Sequence, residues 1–323
     1  MHGIDIMQNQ AALWRSSASI LNLKERAQIM RKIRMFFDER DCFEVNTPLL
    51  SQFGNTDPNL DSFIVDQSGY LNTSPEFHMK RLLASGSGAI YQICSAFRFE
   101  EQGVKHNSEF TLLEWYRPNW SINQLMQEMI DLLHQFFPVR EVETLTYAQA
   151  LYTTTQLSLE CDCNAVIEQK TQALIGEIPK GLNRDELLDL LFCTVVEPNL
   201  PKDKWCFITE YPTSQAALAK KIINENGDEV AMRFELYGGG IELANGYCEL
   251  TDWEEQLQRF ELDNKQRIQN GSQAVNIDTM LIDALKEGMP ECSGVALGLD
   301  RVLMLVLQEN NIKKVMSFDS QRA

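Results

Sequence analysis

At 323 residues with 44% hydrophobic content, the chain can build one large domain or two ordinary ones around a sizeable core. Its formal charge of −17, from 46 acidic against 29 basic residues, argues against a phosphate-tracking surface, because nonspecific nucleic-acid affinity comes from Lys and Arg displacing counterions. The longest apolar runs, such as LLDLLFCTVV, fall well short of the roughly 20 residues that span a bilayer, and the N-terminus lacks a basic start followed by an apolar core, so a cytoplasmic protein with no membrane partner is expected.

The eight cysteines are scattered, no CxxC pair occurs, and the four histidines do not cluster with them; this disfavours a structural zinc site and fits reduced thiols.

In chain order, a tail over 1–21 precedes a single domain over 22–323. Residues 22–40 are predicted to form an amphipathic helix with Leu23, Ala27, Met30, Ile33 and Phe37 on one stripe. Asn22 with Glu25 suits its N-cap. In CFEVNTPLL a short strand runs into Pro48, which confines it to an edge or terminus. LNTSPEFHMKRLL reads as a turn into a helix, with Ser74 as N-cap, Pro75 first and Glu76 in the first turn, near the positive end of the dipole.

Cys94 to Arg117, CSAFRFEEQGVKHNSEFTLLEWYR, reads as two strands joined by a charged loop. Alternation puts Cys94, Ala96 and Arg98 on one face, and Phe110, Leu112, Glu114 and Tyr116 on one face of the return strand. One wall thus offers a cation, an aromatic plate, a carboxylate and a phenol. Taken alone, the pattern also fits a hairpin with a solvated polar face.

A helix is predicted over 121–137. Residues 138–203 turn polar and mostly helical and contain Pro138, Pro179, Pro198 and Pro201; they read as an insertion without a chemical constellation. The core resumes at WCFITEYP, followed by a hairpin in which AMRFELY and IELANGYCEL flank Gly238-Gly239-Gly240. A two-residue loop at 238 and 239 would set Tyr237 opposite Gly240 and Glu235 opposite Glu242. Like charges there repel unless a divalent cation sits between them, and paired carboxylates suit Mg²⁺. Asn245 and Glu249 share a face that Glu242, three residues before Asn245, does not. For all three to line one pocket, the strand must be irregular between Glu242 and Asn245. Helices follow at 252–270 and 276–287. In SGVALGLDRVLMLVL, Gly294, Ala296 and Gly298 form a strand face of nearly bare backbone, and Asp300-Arg301 opens a helix whose N-terminus favours anions.

Phe97-Arg98-x-Glu100, His106-Asn107-x-Glu109-Phe110 and the TLLEWY continuation resemble the second signature motif of class II aminoacyl-tRNA synthetases, in their lysine-specific branch. CFEVNTPLL with its preceding helix is similar to the first motif, and SGVALGLDR to the third. The resemblance implies an α+β catalytic core, an antiparallel sheet flanked by helices, working as a homodimer with ATP and Mg²⁺. It implies ATP contacts from Arg98, Glu100, His106, Asn107, Phe110, Glu242, Gly298 and Arg301, with Arg98 on the α-phosphate, Arg301 on the γ-phosphate and Phe110 against adenine. Metal binding falls to Glu235 and Glu242. The amino-acid substrate falls to Ser74, Glu76, Glu114, Tyr116, Asn245, Glu249 and Ala296, with Glu76 on the amino group, Asn245 on the carboxylate and Glu249 on the distal ammonium.

Two features depart from the lysine-specific synthetases. About twenty residues precede the first core helix, where those enzymes carry an anticodon-binding domain, and Ala296 stands where they have glycine. Together with the acidic balance, the first argues against tRNA as acceptor. The Ala296 methyl intrudes on the substrate floor, at a typical cost of about 1–3 kcal/mol for overpacking, and suits an isomer with a displaced amino group. Both departures, and SQAAL at 214–218, resemble a paralogous ligase branch that attaches (R)-β-lysine to a lysine of elongation factor P.

Overall fold

The computed structural model describes residues 14–99 and 102–323. Residues 1–13 of the expected tail, and Glu100 among the expected ATP ligands, lie outside the described residues.

Helix α1 (Ile20–Asp38) starts earlier than the Asn22–Glu25 pair suggests. Ser19, in extended conformation, caps it by accepting from the Asn22 N–H at 3.1 Å. The Asn22 amide instead reaches across to Glu309 Oε1 and Lys314 O, each at 2.9 Å. The buried stripe is Ile29, Ile33, Phe36 and Phe37, while Ala27 is exposed. Then come strands β1 (Phe43–Glu44), β2 (Leu50–Ser51), β3 (Ile64–Val65) and β4 (Gly69–Leu71), and helix α2 (Glu76–Ala84). The long hairpin β5 (Ile90–Phe97) and β6 (Glu109–Pro118) leads to α3 (Ile122–Leu133), capped by a reciprocal Ser121–Gln124 box.

Residues 138–203 contain helices α4 (Tyr147–Thr155), α5 (Asn164–Ile175) and α6 (Arg184–Leu191), and also a strand, β7 (Val142–Thr146). β7 pairs in parallel with β8 (Trp205–Pro212) at the sheet edge. Its five-residue VETLT run is too short for its alternation to stand out from a polar linker. After β8 come β9 (Lys221–Ile223), β10 (Glu229–Gly238), β11 (Ile241–Cys248), α7 (Trp253–Gln269), α8 (Thr279–Gly288), β12 (Cys292–Gly298) and α9 (Leu299–Val306).

The main sheet runs β1-β5-β6-β12-β11-β10-β8-β7, with β9 added on β10; β2, β4 and β3 form a small second sheet. Pairing is antiparallel except at the two ends, β1 with β5 and β7 with β8. Alternation sorts the sheet residues into two faces. On the back, Leu113, Trp115, Phe207, Phe234 and Val295 pack under α1, α3 and α9. On the front, α2, α7 and α8 cover Ile90 and Tyr116, while α4 and α6 cover Ile208, Tyr211 and Tyr237. The strand positions between these two helical groups carry the polar residues of the site.

Candidate active site

The hairpin turn decides the register of the site. It is Gly239-Gly240, with φ +61° and +78°, the positive pair that a type I′ turn requires. Gly238 stays in the strand, where a Cβ would come within 2.4 Å of the Trp205 ring. Tyr237 therefore pairs with Glu242 rather than Gly240, and Glu235 pairs with Asn245 rather than Glu242. The expected face-to-face pair of glutamates does not form. Between Glu242 and Ala244 the register shifts, leaving Leu243 as a bulge. That extra residue turns Asn245, Tyr247 and Glu249 onto the face of Glu242, which is the irregularity the pocket needed.

One cross-strand row now runs Gln92, Glu114, Ala296, Asn245, Glu235 over five strands. Beside it runs Ile90, Tyr116, Gly294, Tyr247, Arg233. Gly294 is small for a reason visible in the contacts: a Cβ there would lie 2.3 Å from the Tyr116 ring and 2.5 Å from Glu249 Oε1. Gly298 has no such crowding, since its Cβ would meet nothing closer than 3.5 Å.

At one end of this wall lies an acidic pocket. Tyr116 donates to Glu114 Oε1 at 2.6 Å, while Glu114 Oε2 and Asn245 Oδ1 are buried without a hydrogen-bonding partner. Lys80, 1% exposed, forms ion pairs with Glu76 Oε1 at 2.7 Å and Glu249 Oε2 at 2.6 Å. Burial, with help from Glu76, pushes the Glu114 carboxyl well above its ordinary range, and burial pushes Glu249 up to about 7 against the pull of Lys80. α2 begins one residue later than expected, yet Ser74 Oγ accepts from the Glu76 N–H at 3.4 Å. Ser74, Glu76, Glu114, Tyr116, Asn245, Glu249 and Ala296 thus cluster at or beside this end.

At the other end are the arginines. The Arg98 guanidinium lies 5.0 Å from the centre of the Phe110 ring. Arg301 donates to Glu242 O at 2.8 Å and Oε2 at 3.2 Å, and its other amino group meets His106 Nε2 at 2.7 Å. Lys105 reaches Gly240 O at 3.1 Å, so the charged loop is tied to the hairpin turn. Asn107 is spent on structure: its amide donates to Glu109 O at 2.6 Å and accepts from the Ser320 N–H at 3.1 Å. Glu235 is held by Arg233 and by Tyr237, each at 2.6 Å. Burial and then the Glu235 charge push the Glu242 carboxyl up, with Arg301 and Arg98 pulling it down.

Several working residues were not singled out from the sequence. Lys80 sits one turn after Glu76, and that i,i+4 spacing was a usable signal. Arg233 and Tyr237 flank Glu235 at i±2 on the same strand face, also a usable signal. Arg26 had none. It pairs with Asp300, donates to Thr111 Oγ1 at 2.6 Å and reaches Val315 O at 3.0 Å. Asp300 in turn accepts from the Thr111 N–H at 2.6 Å, so α9 is locked to β6. Among the described residues, no group of three or more His, Cys, Asp and Glu is placed to hold a metal, and no helix is long and apolar enough to cross a membrane.

A largely antiparallel sheet flanked by helices, with an arginine at the base of the β5–β6 loop and another opening α9, is what the class II synthetase resemblance implies. The family model "tRNA synthetases class II (D, K and N)" matches residues 4–322, and the chain belongs to that family. Within it, the chain is similar to proteins named elongation factor P–(R)-beta-lysine ligase. That of Hamiltonella defensa is 47% identical over 326 residues, covering 98% of this chain and 100% of the relative. That of Sodalis glossinidius is 46% identical with the same coverage. That of Pasteurella multocida is 45% identical over 319 residues, covering 96% of this chain and 98% of the relative.

Proposed function

We propose that the protein is an ATP-dependent ligase that activates (R)-β-lysine as an aminoacyl-adenylate and transfers it to a lysine side chain of elongation factor P. The observation that carries the amino-acid half is the acidic pocket, where Glu76, Glu114 and Glu249 outnumber Lys80. A neutral guest would leave buried acid uncompensated, which disfavours it strongly. The acceptor and the isomer follow from the activity named for the relatives.

In the first step a carboxylate oxygen of the amino acid bonds to the ATP α-phosphorus as the bond to pyrophosphate breaks. Arg98 and Arg301 stabilise the charge that develops, Phe110 supplies a face for adenine, and Gly298 leaves room above the strand. Asn245, whose side-chain NH2 can donate to the carboxylate, Glu249 and Tyr116 fix the attacking group, and Glu76 takes the nearer ammonium. In the second step the acceptor amine, neutral after desolvation in the docked complex, attacks the acyl carbon; AMP leaves and the amine's proton passes to solvent. Glu242, which burial and then the Glu235 charge push up, has the oxygen donors that suit Mg²⁺, whereas both oxygens of Glu235 are already engaged by Arg233 and Tyr237 and do not face Glu242 across the ladder. Mg²⁺ held at Glu242 would offset the charge of the triphosphate.

The same reading makes residues 22–323 one catalytic domain with an insertion at 138–203, in a cytoplasmic homodimer. Exposed Met35 on α1, Phe43 on β1, and Leu49 and Leu50 at the start of β2 suit the dimer contact. The charge of −17 weighs against tRNA as acceptor.

The test is ATP–pyrophosphate exchange, then label transfer. Exchange dependent on β-lysine and exceeding that with α-lysine, with label arriving on elongation factor P, is expected. Label on tRNA would overturn the acceptor, and absent exchange the whole reading.

A further inference from the structure

The pocket holds a charge that substrate contact alone does not explain. Lys80 is as buried as any core residue, yet it lies among the acids that would take an ammonium from the guest. A resident ammonium competes with a cationic ligand unless the acids exceed it in number. Here three carboxylates, Glu76, Glu114 and Glu249, share one lysine, so once all three are ionised two negative charges remain for the guest's ammonium groups. Two ammonium groups are what a diamino acid brings.

We propose that Lys80 is a positioning residue that sets the charge count of the pocket: it clamps Glu76 to Glu249 and leaves a deficit of two that a diamino acid closes. The proposal rests on the diamino-acid reading of the site. Lys80 touches no reacting atom; it acts through the two glutamates.

The groups facing it are Glu76 from α2, Glu114 from β6, Glu249 just beyond β11, and Cys292 from β12, with Tyr116 and Tyr247 beside the same acids. Burial would lower the Lys80 ammonium, but Glu249 and Glu76 together hold it above its ordinary value, so it stays charged. Its positive charge pulls both Glu114 and Glu249 down against burial. Without it, both acids would ionise only at higher pH, and a dication needs them ionised.

Lys80→Met tests this. Expected is a KM for β-lysine raised about tenfold or more near neutral pH, an ATP KM within about twofold, and an acid limb of kcat/KM for β-lysine displaced upward by about one pH unit. An unmoved acid limb, or an equal rise in both KM values, overturns the proposal. Should that variant not fold, calorimetry of the wild type in two buffers of different ionisation enthalpy gives the count directly. Below neutral pH, a diamino acid should release more protons than an analogue lacking the distal amine, and equal release overturns the count. Wild-type exchange with β-lysine is the control: its absence sinks the reading of the site, whereas its presence with an unmoved limb sinks only the role of Lys80.

Discussion

Strand β6 builds two buried charge clusters from alternate residues, one on each face of the sheet. On the back, Arg117 pairs with Glu128, whose Oε2 also accepts from Arg117 Nε at 2.9 Å and Trp115 Nε1 at 3.1 Å, while Arg117 Nη1 reaches Arg40 O at 3.0 Å. One acid meets one base and their hydrogen bonds are made. On the front, Glu114 and Tyr116 look onto two further acids, Glu76 and Glu249, with one lysine among the three, and Glu114 Oε2 and Asn245 Oδ1 lack partners. A closed cluster holds the fold. An open one is finished only by something that arrives.

The sharpest way to break this comparison is to remove one carboxylate from each side. Glu128→Ala strands Arg117 as an uncompensated buried charge and should cost about 3–5 kcal/mol of stability, read by denaturant unfolding, with pyrophosphate exchange per folded molecule unchanged. Glu114→Gln should do the reverse: stability unchanged or raised, and kcat/KM for β-lysine lowered roughly a hundredfold, about 2.7 kcal/mol. If Glu114→Gln destabilised the empty protein as much as Glu128→Ala, the front cluster would be closed in itself and the contrast would fail.

How much of this contrast the sequence carried can be followed residue by residue. The β5–β6 hairpin, the glycine-faced β12 and the order of the three motif segments were legible because period-two alternation and small-residue spacing are local signals. The pairing of Glu235 was not. It depends on whether the turn uses Gly238 or Gly240, and a one-residue slip moves every partner; the contact of Gly238 with Trp205, 33 positions earlier in the chain, settles it. The bulge was legible only as a conflict: Glu242 and Asn245 had to share a pocket at a spacing that forbids a shared face. Lys80 and Glu76 had helix spacing, but such a pair usually lies in solvent, and only the tertiary placement of Glu249 turns it into a buried clamp. Arg26 reaches Asp300, Thr111 and Val315 from α1, contacts too distant in sequence for any local pattern to announce.

pH separates the two clusters a second time. Burial raises Glu249 to about 7, whereas the unfolded chain ionises it near 4.3. Between those values the native protein holds a proton that the unfolded chain has released, so this group's contribution to stability falls as pH rises and levels off above 7. In the empty protein, the stability difference between wild type and Glu249→Gln should therefore move against the wild type by at most about 1.4 kcal/mol per pH unit across that window. Saturating β-lysine, which needs the ionised acid, should remove the trend. Parallel stability curves for wild type and variant would show that the front acid is already ionised at low pH, as in a closed cluster.

The smallest expected effect concerns what the open cluster will accept. Ala296 is half-buried and lies between Glu114 and Asn245 in the cross-strand row, so its methyl stands on the floor between the two unpartnered oxygens. An isomer whose amino group sits one carbon further from the carboxylate leaves its α-position unencumbered, while an α-amino acid brings substituents toward that methyl. Ala296→Gly should therefore improve kcat/KM for α-lysine in pyrophosphate exchange by roughly fivefold, about 1 kcal/mol, and leave β-lysine within about twofold, since the acids that take its ammonium groups are untouched. Unchanged α-lysine kinetics would mean that the choice of isomer lies in the acids themselves, in the placement of Glu76 against Asn245, and not in the floor between them.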